Sequence, residues 1–289
     1  MKVPMFPPLL LLMITCSSFA QQVETSTHEL STVMMQSTFR FQCATPTGQS
    51  TGTVFILGRP IQGTNTSRYV LVTAAHVLSD CIGDSSVLFA RQKDSQGRWT
   101  ERPMPFPIRM NGKQGWVKNS TADVAALYIS LPEGTVPLLV STDLLADDAA
   151  LTKFEVHPGD DLNVLGYPLG FEGPGGFPVL RSGRIASYPL VPSKDNLYFL
   201  MDFRVFQGNS GGPVFMISYN RYYAGATNIG AVQLLMGLVS EEVSATEELR
   251  GLYESRSQRY PLGLAKIVPA SIIKDTVNQL PEPTAEPVK

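Results

Sequence analysis

The chain has 289 residues, of which 43% are hydrophobic, and it carries a formal net charge of −2. Charged residues make up 17% of the sequence, below the roughly 25% that is typical of globular domains. This composition gives no support to binding of nucleic acid or anionic membranes, because both depend on an excess of basic residues.

The first twenty residues are predicted to be a secretory signal peptide. Lys2 precedes a short apolar run at 7–14, and small residues follow at Ser18 and Ala20. This order is typical of a signal that is cut after Ala20. The run is too short to span a bilayer, so we expect a secreted or periplasmic protein without stable membrane association. A lipoprotein anchored through Cys16 is the weaker alternative.

Removal of the signal peptide would leave two cysteines, Cys43 and Cys81. An even number of cysteines in an exported protein favours a disulfide. Cys81 follows the turn that carries His76, so a bridge would brace that turn. Two free thiols are the alternative, and they would fit a reducing compartment.

From about residue 36 the sequence consists of short apolar segments separated by turns. Such spacing is typical of a β-sandwich or β-barrel. A helix is predicted near the C-terminus, at about 269–279, and the proline-rich residues 280–289 are interpreted as a disordered tail. The predicted strands are 39–43, 52–57, 69–73, 86–91, 124–129, 161–166, 179–187, 198–201, 212–217 and 230–239.

A glycine-rich turn at 207–214 carries Ser210. A serine hydroxyl is a poor nucleophile unless a base takes its proton and fixed donors receive the oxyanion that forms. Glycines allow the backbone to bend sharply and approach a substrate closely, so the amides of Gly208 and Ser210 are predicted to point at one position. An ordinary glycine-rich hairpin loop is the alternative.

Three histidines are available as the base: His28, His76 and His157. None follows Ser210, which excludes the chain order of the α/β-hydrolases. The subtilisin order, with the aspartate first, could be met only by Asp123, His157 and Ser210. The order histidine, aspartate, serine is met by His76, Asp123 and Ser210.

The surroundings of these residues favour His76 over His157. His76 follows the β-branched run 69–73, which is typical of a buried strand that leads into a turn. His157 lies among turn-forming residues and is interpreted as a solvated loop residue. Asp123 precedes the predicted strand 124–129. We therefore expect His76, Asp123 and Ser210 to be the catalytic residues.

Three stretches together resemble the signatures of the chymotrypsin-like serine peptidases: Thr-Ala-Ala-His at 73–76, Ala-Asp-Val-Ala at 122–125 and Gly-Asn-Ser-Gly-Gly-Pro at 208–213. The bacterial trypsin-like branch that includes the HtrA/Deg enzymes is the most similar, and the resemblance extends from about 38 to 266. The signatures are specific in combination and weak singly. No segment resembles the PDZ domain that the HtrA/Deg enzymes carry.

The resemblance implies an all-β fold of two packed six-stranded β-barrels with a C-terminal helix. The expected domains are a signal peptide at 1–20, an N-terminal extension at 21–35 and a peptidase domain at 36–279. Barrel one would span about 36–135 and barrel two about 150–267. His76 and Asp123 would come from the first barrel and Ser210 from the second.

The implied activity is a serine endopeptidase that acts on protein or peptide substrates through a covalent acyl-enzyme, with no metal and no cofactor. Arg204, Ser240, Glu241 and Glu242 are expected to line the substrate pocket. Asn209 stands where many relatives have an aspartate that pairs with a new N-terminus, so activation by N-terminal cleavage is not expected. A catalytically inactive binding module and an esterase with the same triad are the alternatives.

Overall fold

The structure is a computed structural model that describes residues 29–64, 66–132, 135, 138–250 and 255–283. The predicted signal peptide and residues 284–289 of the predicted tail lie outside the described residues. Within the described ranges, no helix is long and apolar enough to cross a membrane.

The first half of the chain is built mainly from strands. Its helices and strands are α1 (Leu30–Ser37), β1 (Thr38–Thr45), β2 (Gly48–Pro60), β3 (Ser67–Thr73), α2 (Ala75–Ser79), β4 (Ser85–Lys93), β5 (Trp99–Pro107), β6 (Arg109–Met110), β7 (Lys113–Gln114), β8 (Val117–Lys118) and β9 (Ala125–Tyr128).

A connecting region and a second set of strands follow. The elements are β10 (Val140–Ser141), α3 (Asp148–Lys153), β11 (Asp161–Gly166), β12 (Val179–Ile185), β13 (Phe199–Asp202), β14 (Pro213–Tyr219), β15 (Tyr222–Tyr223), β16 (Ala226–Thr227), β17 (Ala231–Arg250), β18 (Ser255–Pro269) and α4 (Ala270–Asn278).

Seven strands of the first half form a sheet in the order β5-β4-β1-β2-β3-β9-β8. Strand β10 pairs in parallel with β2 and completes an eight-stranded sheet, whereas β6 and β7 pair with each other in a separate two-stranded sheet. Large apolar side chains from its central strands, such as Phe39, Phe55 and Leu71, are fully buried. Because β3 lies between β2 and β9, the end of β3 is held on both sides. This end carries the turn with His76.

Six strands of the second half close into a barrel in the order β11-β12-β13-β18-β17-β14. The glycine-rich turn leads directly into β14, which pairs with β11 on one side and β17 on the other. A break in the β14–β17 register occurs between Val214 and Phe215. Ser210 is thus held at the end of a strand that both neighbours fix.

The fold class predicted from the sequence is confirmed: the chain has the trypsin-like double-barrel fold with a C-terminal helix. All ten predicted strands are present; nine have shifted ends, and β11 has the predicted bounds. The first sheet has eight strands rather than the expected six, because β5, β8 and β10 join the five predicted strands β1, β2, β3, β4 and β9. Helix α1 begins before residue 36, and its Leu30 and Met34 are buried in the core. Packed structure therefore starts earlier than the expected domain boundary.

Candidate active site

Strand pairing brings His76 and Asp123 together. In the β3–β9 ladder, Thr73 lies opposite Ala125. His76 follows β3 in the first turn of α2, and Asp123 lies two residues before β9 begins at Ala125. Since the two strands are antiparallel, the C-terminal end of one lies beside the N-terminal end of the other. Residues that are 47 positions apart in sequence therefore become neighbours.

Asp123 fixes His76 through both carboxylate oxygens. Its Oδ2 lies 2.7 Å from Nδ1 of the His76 ring, and its Oδ1 accepts the His76 backbone N–H at 3.0 Å. Oδ2 also accepts the hydroxyl of Ser240 at 2.6 Å. Burial by itself would raise the pKa of Asp123, but the hydrogen bonds from His76 and Ser240 and the charge of His76 lower it to about 2. Asp123 is therefore an anion at neutral pH.

The charges around His76 favour its protonated form. Burial by itself would lower the pKa of the imidazole, because it disfavours the cation. The hydrogen bond and negative charge of Asp123, together with the charges of Asp80 and Glu241, outweigh burial and raise the pKa above its ordinary value of 6.5. The ring remains 40% exposed, so its other nitrogen can exchange protons with a bound molecule.

Ser210 lies in a turn that only glycine can form at two positions. Gly208 has a φ of 95° and Gly211 a φ of 83°, values that favour glycine. A Cβ at Gly208 would clash with the carbonyl of Tyr167, and a Cβ at Gly211 would clash with the carbonyl of Thr53. The glycine pattern of the sequence therefore reflects close backbone packing as well as sharp bending.

His76, Asp123 and Ser210 line one cleft of about 540 Å³. The hydroxyl of Ser210 donates to the carbonyl of Ser240 at 3.1 Å. In the part of the chain that the structure describes, no hydrogen bond joins this hydroxyl to the His76 ring. The cleft is also lined by Asp80, Val205, Phe206, Gln207, Ser240, Glu241 and Glu242.

The backbone amides of Gly208 and Ser210 are not used by the fold. Over the described ranges, neither N–H donates to a protein acceptor, whereas the amides of Asn209, Gly211 and Gly212 all do. Ser210 forms one wall of the cleft. Unpaired amides beside a hydroxyl are available to an oxygen atom of a bound molecule.

Arg204 is not brought to the cleft, contrary to the sequence prediction. The segment that leads into the turn alternates, with Phe203 and Val205 buried and Arg204 exposed. The Arg204 guanidinium lies over the ring of Phe206, 5.2 Å from its centroid. Ser240, Glu241 and Glu242 do line the cleft. Glu241 pairs with Lys266 at 2.6 Å and not with Arg204.

The predicted disulfide between Cys43 and Cys81 is present. It joins β1 to Cys81, two residues after the end of α2. The amide of Ile82 also donates to the carbonyl of Ala44 at 2.8 Å. The helix that carries His76 is thus tied to the first strand at its C-terminal end.

Two supporting roles were not predicted from the sequence. Asn209 is 1% exposed, and its Oδ1 accepts the backbone N–H of Phe206 at 2.9 Å. Ser240 was expected only in the pocket, yet its hydroxyl bonds Asp123. No local pattern indicates either contact.

His157 is exposed at the surface. Among the described residues, no cluster of His, Cys, Asp and Glu could hold a metal.

Three solved structures with a similar fold are distant from this chain in sequence. The serine endoprotease from Yersinia pestis is 15% identical, with a TM-score of 0.46, over 85% of this chain and 63% of that chain. The chain thus spans less than two thirds of that structure. The M. tuberculosis protease Rv3671c, in its active form, is 18% identical, with a TM-score of 0.46, over 90% of this chain and 86% of that one.

A scabies mite inactivated protease paralogue is 15% identical, with a TM-score of 0.44, over 86% of this chain and 97% of that one.

No curated protein matches the chain in sequence. The trypsin-like peptidase domain family matches residues 51–224, which include His76, Asp123 and Ser210. The chain therefore belongs to the family of trypsin-like peptidase domains.

Proposed function

We propose that the protein cleaves peptide bonds by a Ser–His–Asp mechanism, with Ser210 as nucleophile, His76 as general base and Asp123 as its partner. The observation that carries this proposal is the 2.7 Å hydrogen bond between His76 and Asp123 in the same cleft as Ser210. An anionic Asp123 holds the proton on Nδ1 of the ring and leaves the other nitrogen free to accept one.

In this mechanism the Ser210 hydroxyl must first turn from the Ser240 carbonyl toward the free nitrogen of His76. Such a rotation about a single side-chain torsion is a small step for a serine. His76 then takes the proton as Oγ attacks the substrate carbonyl carbon. The C–N bond breaks when His76 returns that proton to the leaving amine, which leaves an ester on Ser210. A water molecule, activated in the same way, hydrolyses the ester.

We assign the oxyanion hole to the amides of Gly208 and Ser210. Both are free of protein acceptors within the described residues, as a group that must receive a substrate oxygen should be. Preorganised donors of this kind stabilise the negative charge that develops in the transition state. Ser240, Glu241 and Glu242 would contact the substrate on the side of the cleft formed by β17.

The disulfide between Cys43 and Cys81 supports export, because such bridges form and persist in oxidising compartments. We propose that the mature chain starts after Ala20 and acts outside the cytoplasm. The family implies protein or peptide substrates, and a chain that acts outside the cytoplasm would meet those substrates there.

A binding module without catalysis is the second candidate. It is favoured by one observation, the hydrogen bond that turns Ser210 Oγ toward Ser240 rather than toward His76. Labelling of the mature protein with a fluorophosphonate probe separates the two, because only an activated serine is phosphonylated. We expect rapid labelling that Ser210→Ala abolishes. Absence of labelling in the folded wild-type protein would exclude the enzyme.

A labelled protein would still have to be distinguished from an esterase. Digestion of casein should be compared with hydrolysis of p-nitrophenyl acetate, using Ser210→Ala as the control for both. We expect casein to be cleaved. Ester hydrolysis without casein cleavage would assign the site to small acyl esters instead.

A further inference from the structure

Thr53, a residue of the first sheet, holds the turn around Ser210 through its side chain and its backbone. This residue lies on β2 and is fully buried. Its hydroxyl donates to the carbonyl of Gly208 at 2.6 Å, and its backbone N–H donates to the carbonyl of Ser210 at 2.9 Å. A single residue of the first sheet thus fixes two carbonyls of the turn.

The two peptide planes that flank Gly208 are both fixed by such contacts. The carbonyl of Gln207 accepts the N–H of Leu169 at 2.6 Å, and the carbonyl of Gly208 accepts the hydroxyl of Thr53. In a planar trans peptide the N–H points away from the carbonyl. The direction of the Gln207 carbonyl therefore sets the direction of the Gly208 N–H.

Glycine is the residue whose flanking peptides turn most readily, because no Cβ restricts φ or ψ. Gly208 has a φ of 95°, a backbone conformation that few other residues adopt. Its orientation must therefore come from its partners. The Gln207 carbonyl is held by a backbone group, the Leu169 N–H. The Gly208 carbonyl is held by a side chain, the Thr53 hydroxyl, which a substitution can remove.

The same hydroxyl also fixes the backbone against which Gly208 packs. Its oxygen accepts the N–H of Tyr167 at 3.3 Å, and the carbonyl of Tyr167 is the atom that a Cβ at Gly208 would strike. Thr53 therefore links the turn to the segment that follows β11. Its own carbonyl accepts the hydroxyl of Thr73 at 2.8 Å, which ties Thr53 to the end of β3.

We propose that Thr53 is a positioning residue for catalysis. Its hydroxyl holds the carbonyl of Gly208 and accepts the N–H of Tyr167, two residues before the Leu169 N–H that holds the Gln207 carbonyl. By restraining both sides of Gly208, it keeps the Gly208 N–H facing the substrate oxygen. This inference rests on the proposed function, since an oriented amide matters only if an oxyanion forms. It assigns part of the rate to a residue 157 positions before the nucleophile, on the opposite half of the fold.

The test compares Thr53→Val, which keeps the shape and loses the hydroxyl, with Thr53→Ser, which keeps the hydroxyl. Ser86→Ala is the matched control, because it removes another buried hydroxyl that donates to a backbone carbonyl at 2.8 Å, within the β4–β5 pair. The probe is a fluorophosphonate, whose phosphoryl oxygen would occupy the proposed oxyanion hole, and the rate of labelling is followed from pH 5 to 9.

For Thr53→Val we expect the plateau rate to fall at least tenfold, with an unchanged midpoint of the acid limb. Complete loss of one oxyanion donor costs about 10²–10³ in rate, and a misoriented donor should cost part of that. The midpoint should not move, because it reports His76 and Asp123, which Thr53 does not contact. Thr53→Ser and Ser86→Ala should label within about threefold of the wild type.

The inference would be overturned if folded Thr53→Val labelled at the wild-type rate, or if Thr53→Ser lost as much rate as Thr53→Val. Should Thr53→Val fail to fold, Thr53→Ala removes the same hydroxyl in a smaller side chain, and the same two outcomes apply to it. A wild-type protein that is not labelled at all would instead contradict the proposed function. The two failures are therefore distinguishable.

Discussion

The disulfide between Cys43 and Cys81 should contribute several kcal/mol to stability, and its removal is the sharpest test of how the base-carrying turn is held. The bridge joins residues that are 38 positions apart. In the chain-entropy treatment, closing a loop of that length removes about 13 cal/mol/K from the unfolded chain. This corresponds to about 4 kcal/mol at 25 °C.

The variant Cys43→Ala/Cys81→Ala should be compared with the wild type by urea unfolding. We expect the free energy of unfolding to fall by about 2–4 kcal/mol, since measured effects often lie below the entropic value. The slope of the unfolding free energy against urea should rise, because an uncrosslinked unfolded chain exposes more surface. Wild-type protein reduced with dithiothreitol is the control and should match the variant.

The same variant should keep its fluorophosphonate labelling rate within about threefold where it remains folded. The hydrogen bond from Ile82 to Ala44 and the contacts between His76 and Asp123 remain to hold α2. A loss of less than about 1 kcal/mol would refute the argument that the bridge acts by restricting the unfolded chain. A large loss of labelling in the folded variant would show that the bridge also orients His76.

The remaining predictions concern the site and its dependence on the N-terminus. Because His76 must be neutral to take a proton and its pKa is raised above 6.5, labelling should decline below a midpoint that lies above pH 6.5, and Asp80→Asn should lower that midpoint. Gly208→Ala should lower the labelling rate about 10²-fold in folded protein, since a Cβ there meets the Tyr167 carbonyl. Asn209→Asp should lower the melting temperature, because it buries an unpaired charge. A short extension before the mature N-terminus should leave the labelling rate unchanged.

Local sequence patterns were sufficient to locate most of the strands and the three proposed catalytic residues. The strands that were found carry β-branched or aromatic residues in short runs bounded by turns. Strand β5 was missed because Pro103, Pro105 and Pro107 interrupt it. Proline is tolerated there because β5 lies at the edge of the sheet, where alternate N–H groups need no partner.

Strand β18 was missed for a different reason. Its residues between 255 and 263 are mostly polar and include Pro261 and Gly263, so no apolar alternation marks a strand. It forms because β17 continues beyond the barrel and supplies a partner for its backbone as far as Ser255. Pairing with a neighbour, and not the propensity of the segment, determines its length.

The wrong placement of Arg204 shows where counting from a motif fails. Arg204 lies six residues before Ser210, and the resemblance predicts that it lines the substrate pocket. The intervening chain is extended, however, and its alternation buries Phe203 and Val205 and turns Arg204 outward. One residue of offset reverses the direction of a side chain in an extended segment. Position relative to a motif therefore predicts a side chain's surroundings only where the backbone conformation is known.

At the proposed site, each half of the fold donates a hydrogen bond that supports a residue of the other half. Ser240 of the second barrel donates its hydroxyl to Asp123 of the first sheet, and Thr53 of the first sheet donates its hydroxyl to Gly208 of the second barrel. One contact supports the base and the other supports the oxyanion donors, so neither half holds a complete site. A substitution that loosens the packing between the halves should therefore lower the rate of chemistry before it unfolds either of them.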